Sequence, residues 1–125
     1  MNKITKIIVL FIVLAFAGAA VWYATRSTSP KVTGNYDDFA KCLRDKNITM
    51  YGAYYCSHCQ DQKAAFGSSF QYVPYVECTQ DTQKCLEKKV NFYPTWIFPD
   101  GKSLVGFQEL SQLAQESGCA LPAVQ

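Results

Sequence analysis

The sequence predicts an α/β fold: a mixed four-stranded sheet flanked by helices, preceded by one apolar N-terminal helix. Three observations predict it. The first is an uncharged apolar run near the N-terminus. The second is an alternation of helix-period and strand-like segments in the order helix, strand, helix, strand, helix, hairpin, helix. The third is the stretch "AYYCSHCQDQ", residues 53 to 62, which sets two cysteines between an apolar run and a polar, helix-prone one.

The apolar run covers eighteen residues, Ile7 to Ala24. At about 1.5 Å per residue a helix of that length roughly matches a bilayer core. Residues 1–25 are therefore expected to form a membrane anchor. The alternative is a cleaved signal peptide, for which "AFA" and "AGA" offer small-x-small sites. Lys3 and Lys6 precede the run while Arg26 and Lys31 follow it, so basic residues alone give little orientation. Residues 26–35 (RSTSPKVTGN) read as a polar tether, and 36–125 as one small folded domain.

Within that domain, "YDDFAKCLRDKN" places Phe39, Cys42 and Leu43 on one helical face, with Asp37 and Asp38 in the first turn. "ITMYGAYY" (48 to 55) has the apolar, β-branched and aromatic composition of a strand buried on both faces. "CSHCQDQKAAF" follows as a helix stopped by Gly67, and "YVPYVEC" (72 to 78) as a second strand. "TQDTQKCLEKKV" is a loop or helix with Lys84, Lys88 and Lys89 on a solvated face. "FYPTWIF" and "SLVGF" flank the turn "PDGK" as a hairpin, and residues 109 to 117 close with a helix that turns Leu110, Leu113 and Ala114 inward.

Residues 27 to 125 carry nine basic and ten acidic side chains, a net charge of −1, and no basic patch that would suggest nucleic acid. Six cysteines in so short a chain fit an oxidising, extracytoplasmic compartment, which supports the orientation with the domain outside.

Several chemistries could use Cys56 and Cys59. A c-type haem needs His directly after the second cysteine, where this chain has Gln60. Zinc could draw on Cys56, Cys59, Cys78 and Cys85, but the second pair has six intervening residues where zinc ribbons have two. No metal and no cofactor is expected. A purely structural Cys56–Cys59 bridge would close too short a loop to add much stability. Redox exchange has a direct mechanism. Backbone N–H groups and the helix dipole favour a thiolate at a helix N-terminus, making Cys56 the nucleophile and Cys59, one turn in, the resolving thiol. Ser57 and His58 would tune the pair, with His58 donating a hydrogen bond or positive charge to the Cys56 thiolate. Stabilising that thiolate stabilises the reduced form, so the disulfide becomes a stronger oxidant.

Cys56-Ser57-His58-Cys59 after "MYGAYY", with Tyr93-Pro94-Thr95 downstream, resembles the thioredoxin fold. The words "FAKCL", "YGAYYCSHCQDQK", "YVPYVEC", "YPTW" and "LAQESGCALP" resemble more closely the thioredoxin-like domains fused to, or partnered with, bacterial vitamin K epoxide reductase homologues. The resemblance implies a domain that takes electrons from exported cysteine-containing proteins and passes them to a quinone-reducing membrane enzyme. This chain has a single spanning segment, so that enzyme would be a separate partner. The resemblance also implies a cis bond at Pro94, a substrate groove at Tyr93, Pro94 and Thr95, and a Cys78–Cys85 disulfide, either structural or a second redox relay. Cys42 and Cys119 are left as a pair or as two buried thiols. The expectation leans to free thiols, because thioredoxin topology tends to put the terminal helices on opposite faces.

Two positions depart from thioredoxin. Its buried Asp, a proton acceptor, is replaced by Met50, and Glu77 is at most a substitute, more simply a solvated strand-end carboxylate. The expected function is extracytoplasmic disulfide donation. The alternatives are a thiol-disulfide reductase or isomerase, and a zinc-bound or disulfide-stapled interaction module.

Overall fold

The computed structural model describes residues 2–24 and 35–123, in two units. The first is helix α1, Lys3–Ala24, whose 22 residues are long and apolar enough to cross a membrane. Of the segment expected to be a tether, residues 26–34 lie outside the described residues.

The second unit is built on four strands: β1 (Thr49–Gly52), β2 (Tyr75–Glu77), β3 (Thr95–Ile97) and β4 (Ser103–Val105). Their order across the sheet is β2-β1-β3-β4. β1 pairs in parallel with β2, Met50 opposite Tyr75 and Gly52 opposite Glu77, and antiparallel with β3, Met50 opposite Trp96. β3 and β4 form the hairpin, Trp96 opposite Leu104. The parallel pair needs a crossover, and helix α3 (Ser57–Phe66) supplies it. With α2 (Asp37–Asp45), α4 (Thr82–Glu87) and α5 (Leu110–Ser117), this is a thioredoxin-like α/β fold.

Alternation along the strands creates two unequal faces. Met50 and Trp96 point into the main core with Phe39 and Leu43 of α2, Cys59 and Phe66 of α3, and Leu113 of α5. Tyr51, Val76 and Ile97 point the other way, toward Cys78 and Cys85. The central strand is thus covered on both sides, as its composition predicts, but it is shorter than the apolar run. It ends at Gly52, and Tyr54 and Tyr55 form an exposed turn, 68% and 64% accessible. The second strand is likewise shorter than the expected 72 to 78. Gly67, at φ +57°, ends α3 and feeds a 3-10 turn through Tyr72, so the strand begins only after Pro74.

Cys42 and Cys119 correct the expectation of free thiols: they form a disulfide with Cα atoms 5.9 Å apart. The reason is that α2 and α5 pack on the same sheet face, Phe39, Leu43 and Leu113 sharing one core cluster. Gly118, left-handed at φ +68°, then turns the chain so that Cys119 faces inward. Lys46 reinforces this junction by donating to the Ser117 carbonyl at 2.6 Å.

Cys42–Cys119 spans 77 residues and Cys78–Cys85 spans 7. By loop entropy the first restricts the unfolded chain by about 4.5 kcal/mol and the second by about 2.4 kcal/mol. Paired alanine substitution of Cys42 and Cys119 is expected to cost the more stability of the two pairs in urea unfolding.

Candidate active site

Cys56 lies between the end of β1 and the first residue of α3, with an extended backbone that breaks the strand and starts the helix. Its sulfur is the helix cap: Sγ accepts a hydrogen bond from the Cys59 N–H at 3.3 Å. A capping atom at a helix N-terminus faces backbone N–H donors and the positive end of the helix dipole. Cys56 is half-buried and Cys59 is 0% accessible, both as free thiols. An incoming sulfur can therefore reach Cys56 and not Cys59.

The peptide bond between Tyr93 and Pro94 is cis, and the Tyr93 carbonyl accepts from Cys56 Sγ at 3.6 Å. Cys56, Tyr93 and Pro94 are thus brought together. Thr95 is turned away from the open surface: it is 4% accessible and its hydroxyl donates to the Phe92 carbonyl at 2.7 Å. The exposed rings nearest along the chain are Tyr54 and Tyr55, just ahead of Cys56, and Phe92, two residues before Pro94. Trp96 is a core residue, its ring N–H donating to buried Gln62.

Ser57 and His58 occupy the first turn of α3, both exposed. His58 points to Asp61, Nδ1 to Oδ2 3.8 Å, with 69% of its side chain accessible. That contact takes the place of the expected one with Cys56, because a helix directs the second residue of the turn outward while the cap sulfur turns over the helix end.

The floor of the site is a glycine that sequence reading passed over. A Cβ on Gly52 would lie 2.9 Å from Cys59 Sγ, 3.1 Å from Tyr75 Cε2 and 3.3 Å from Tyr75 Oη. Only a residue without a side chain lets the thiol and the phenol meet on the strand. Its signal was a glycine inside an otherwise apolar strand just ahead of the cysteines. Burial pushes the Cys59 thiol up to about 12, helped by its hydrogen bond and charge interaction with Cys56; a backbone bond at Ala53 and the Lys63 ammonium oppose the rise. Burial also raises the Tyr75 phenol, and its bond to Glu77 adds to the effect.

Glu77 is tied down rather than free. One oxygen accepts from Tyr75 Oη at 2.7 Å; the other accepts from the Thr79 hydroxyl at 2.7 Å, the Thr79 N–H at 3.3 Å and the Tyr54 N–H at 3.2 Å. Partial burial pushes its carboxyl up, but these bonds outweigh it and hold the group below its ordinary 4.5. It stays ionised and anchors the turn that leads into Cys56. The thioredoxin-type acceptor position holds Met50, wholly buried in the apolar core.

Cys78 and Cys85 are joined to each other, Cα atoms 5.8 Å apart, and are 4% and 3% accessible. This removes the four-thiolate zinc set, since a disulfide sulfur is not a thiolate ligand. Among the described residues no group of three or more His, Cys, Asp or Glu could hold a metal ion.

Fold and site together define a thioredoxin-like protein with a dithiol at the helix N-terminus. The chain is a homologue of the thiol-disulfide oxidoreductase LTO1 of Arabidopsis thaliana, 40% identical over 91 residues, 66% of this chain and 24% of that protein. It thus spans about a quarter of that relative's length. Among solved structures, the glutaredoxin from Methanosarcina mazei Go1 matches 57% of this chain and 77% of its own, at 24% identity and a TM-score of 0.43. No family model matches the chain.

Gly52→Ala is expected to destabilise the protein by about 1–3 kcal/mol, because strand and helix leave the new methyl no room; denaturant unfolding measures it. Glu77 has a lowered folded value, so its stabilisation is present above its ordinary 4.5 and is lost as the pH falls through the folded value. Glu77→Gln should therefore flatten the acid limb of a stability-versus-pH curve while leaving its shape near neutrality unchanged.

Proposed function

We propose that the protein is a membrane-anchored, extracytoplasmic thiol-disulfide oxidoreductase that acts mainly as a disulfide donor to exported proteins. The observation that carries this reading is the asymmetry of the dithiol: a reachable Cys56 sulfur capping α3, and a buried Cys59 behind it. The likeness to a thiol-disulfide oxidoreductase over 91 residues supports the activity.

A substrate thiolate attacks Cys56 of the oxidised pair. A bond forms between substrate sulfur and Cys56, the Cys56–Cys59 bond breaks, and its electron pair leaves on Cys59. A second substrate thiolate then attacks the first substrate sulfur, closing the substrate disulfide and releasing Cys56 as thiolate. The substrate loses two electrons and the protein dithiol gains them. The Tyr93 carbonyl beside Cys56 and the cis Tyr93-Pro94 segment offer backbone for an extended substrate to pair with, in the manner of strand addition. Ser57 and His58 line the exposed mouth of the pair.

The direction rests on electrostatics. The Cys59 N–H and the helix end favour charge on the Cys56 sulfur, which stabilises the reduced form and makes the disulfide a stronger oxidant. The buried disulfide of Cys78 and Cys85 favours the structural of its two roles. In our reading residues 1–25 anchor the chain, 26–35 tether it and 36–125 form the catalytic domain. Six cysteines, four of them in disulfides, favour the oxidising side of the membrane. Reoxidation falls to a quinone-reducing membrane partner of the vitamin K epoxide reductase type.

The test uses the full-length chain in detergent, equilibrated with glutathione or dithiothreitol buffers while each cysteine is followed separately by alkylation and mass spectrometry. A reduction potential near or above about −180 mV is expected, whereas one near about −270 mV would reverse the electron flow. In cells Cys59→Ser should accumulate dithiothreitol-sensitive mixed disulfides with exported proteins, and Cys56→Ser should accumulate none. Failure of Cys59→Ser to trap any adduct would sink the exchange mechanism.

A further inference from the structure

We infer that Lys63 is the positive charge that stabilises the Cys59 thiolate each time the Cys56–Cys59 bond opens or closes, a positioning residue for the reaction proposed above. The inference rests on that reading for its chemistry and on the packing around Gly52 for its geometry.

Lys63 follows Cys59 by four residues on α3, so the two side chains share one helical face. Its ammonium sits 3.9 Å from the centroid of the Tyr75 ring and 5.6 Å from that of Phe70. The Tyr75 ring approaches the same point over Gly52 that Cys59 Sγ approaches, so cation, ring and sulfur form one packed group. Aromatic faces hold a cation without cancelling its charge. No carboxylate among the described residues lies within ion-pairing distance of Lys63. Its field therefore remains available to the buried sulfur, and it opposes the effect of burial on the Cys59 thiol.

The other charged or titratable groups around Cys59 do not supply this. Cys56 and Glu77 carry negative charge when ionised, and Glu77 is spent on its four hydrogen bonds. Tyr75 and Tyr93 are both held as neutral phenols, chiefly by burial. When substrate sulfur bonds to Cys56, the electron pair of the broken bond arrives on Cys59 in a dry pocket, where a bare thiolate is costly. The Lys63 ammonium offsets that cost. The closing step, Cys59 thiolate attacking Cys56, passes through the same charged sulfur and gains equally.

At neutral pH Cys59 rests as a neutral thiol once the bond to Cys56 has opened, and its thiolate is only the form that leaves or attacks, so Lys63 accelerates both directions without moving the equilibrium between them. A residue that merely shored up α3 would not show this pattern.

The experiment uses the full-length chain in detergent at pH 7, with glutathione as the probe thiol. Opening of the Cys56–Cys59 disulfide by reduced glutathione, and closing of the glutathione adduct on Cys56 by Cys59, are timed by acid quench, alkylation and mass spectrometry. Lys63→Met is expected to slow both steps roughly tenfold with an unchanged equilibrium constant. Lys63→Arg, whose guanidinium also stacks on aromatic rings, should restore most of the rate. Lys63→Gln, which keeps the stem and a polar head, serves should Lys63→Met disturb α3, and should match its rate loss. Equal rates in wild type and the neutral variants would overturn the inference, as would a rate loss accompanied by an equal change in the equilibrium constant. A wild-type disulfide inert to glutathione would sink the oxidoreductase reading and this inference with it, whereas equal rates among exchanging proteins would sink the inference alone.

Discussion

The close seat of the first turn of α3 on Gly52 is the constraint from which the rest of the site follows. Because Gly52 has no side chain, Cys59 settles directly on the end of the central strand and Tyr75 reaches in from the neighbouring one. That seat fixes the axis of α3, which in turn aims the Cys59 N–H at the Cys56 sulfur. It also seals Cys59 from solvent, so an incoming sulfur meets Cys56, and Cys59, three residues on, exchanges only with Cys56.

Backbone bonds on either side hold this arrangement in place. The Cys78 N–H donates to the Gly52 carbonyl at 2.8 Å and the Cys56 N–H to the Ala53 carbonyl at 3.1 Å, so β1, the Cys56 turn and the start of the Cys78–Cys85 loop are one hydrogen-bonded unit. Glu77 ties the same turn to β2 through the Tyr54 N–H. A charged carboxylate with four donors is a strong fastener and a poor proton acceptor, so the fold spends its nearest acid on geometry. Lys63, held by rings rather than by an acid, keeps its charge for the site.

The two disulfides divide the remaining work by face. Cys42–Cys119 closes the terminal helices over the main core, where Phe39, Leu43 and Leu113 already meet. Cys78–Cys85 pins short α4 against the other face, where Tyr51, Val76 and Ile97 find few other partners. A domain with strands of three or four residues buries little surface in its sheet alone, and covalent links offset that shortage.

By itself the sequence determined the element order, the dithiol at a helix start and the apolar N-terminal helix, because each is written in local signals: periodicity, Gly67 as a stop, and an uncharged run. Strand ends were less legible. The aromatic run through Tyr55 scores as strand, yet the pleat stops where α3 must turn over Gly52. Tertiary structure alone decided that α2 and α5 share a face and so bond Cys42 to Cys119, that His58 faces Asp61, that Thr95 turns inward, and that Lys63, Tyr75 and Gly52 gather around Cys59. These outcomes depend on which side chains meet across the sheet, and residues as far apart as Gly52 and Tyr75 leave no trace of their contact in any local pattern.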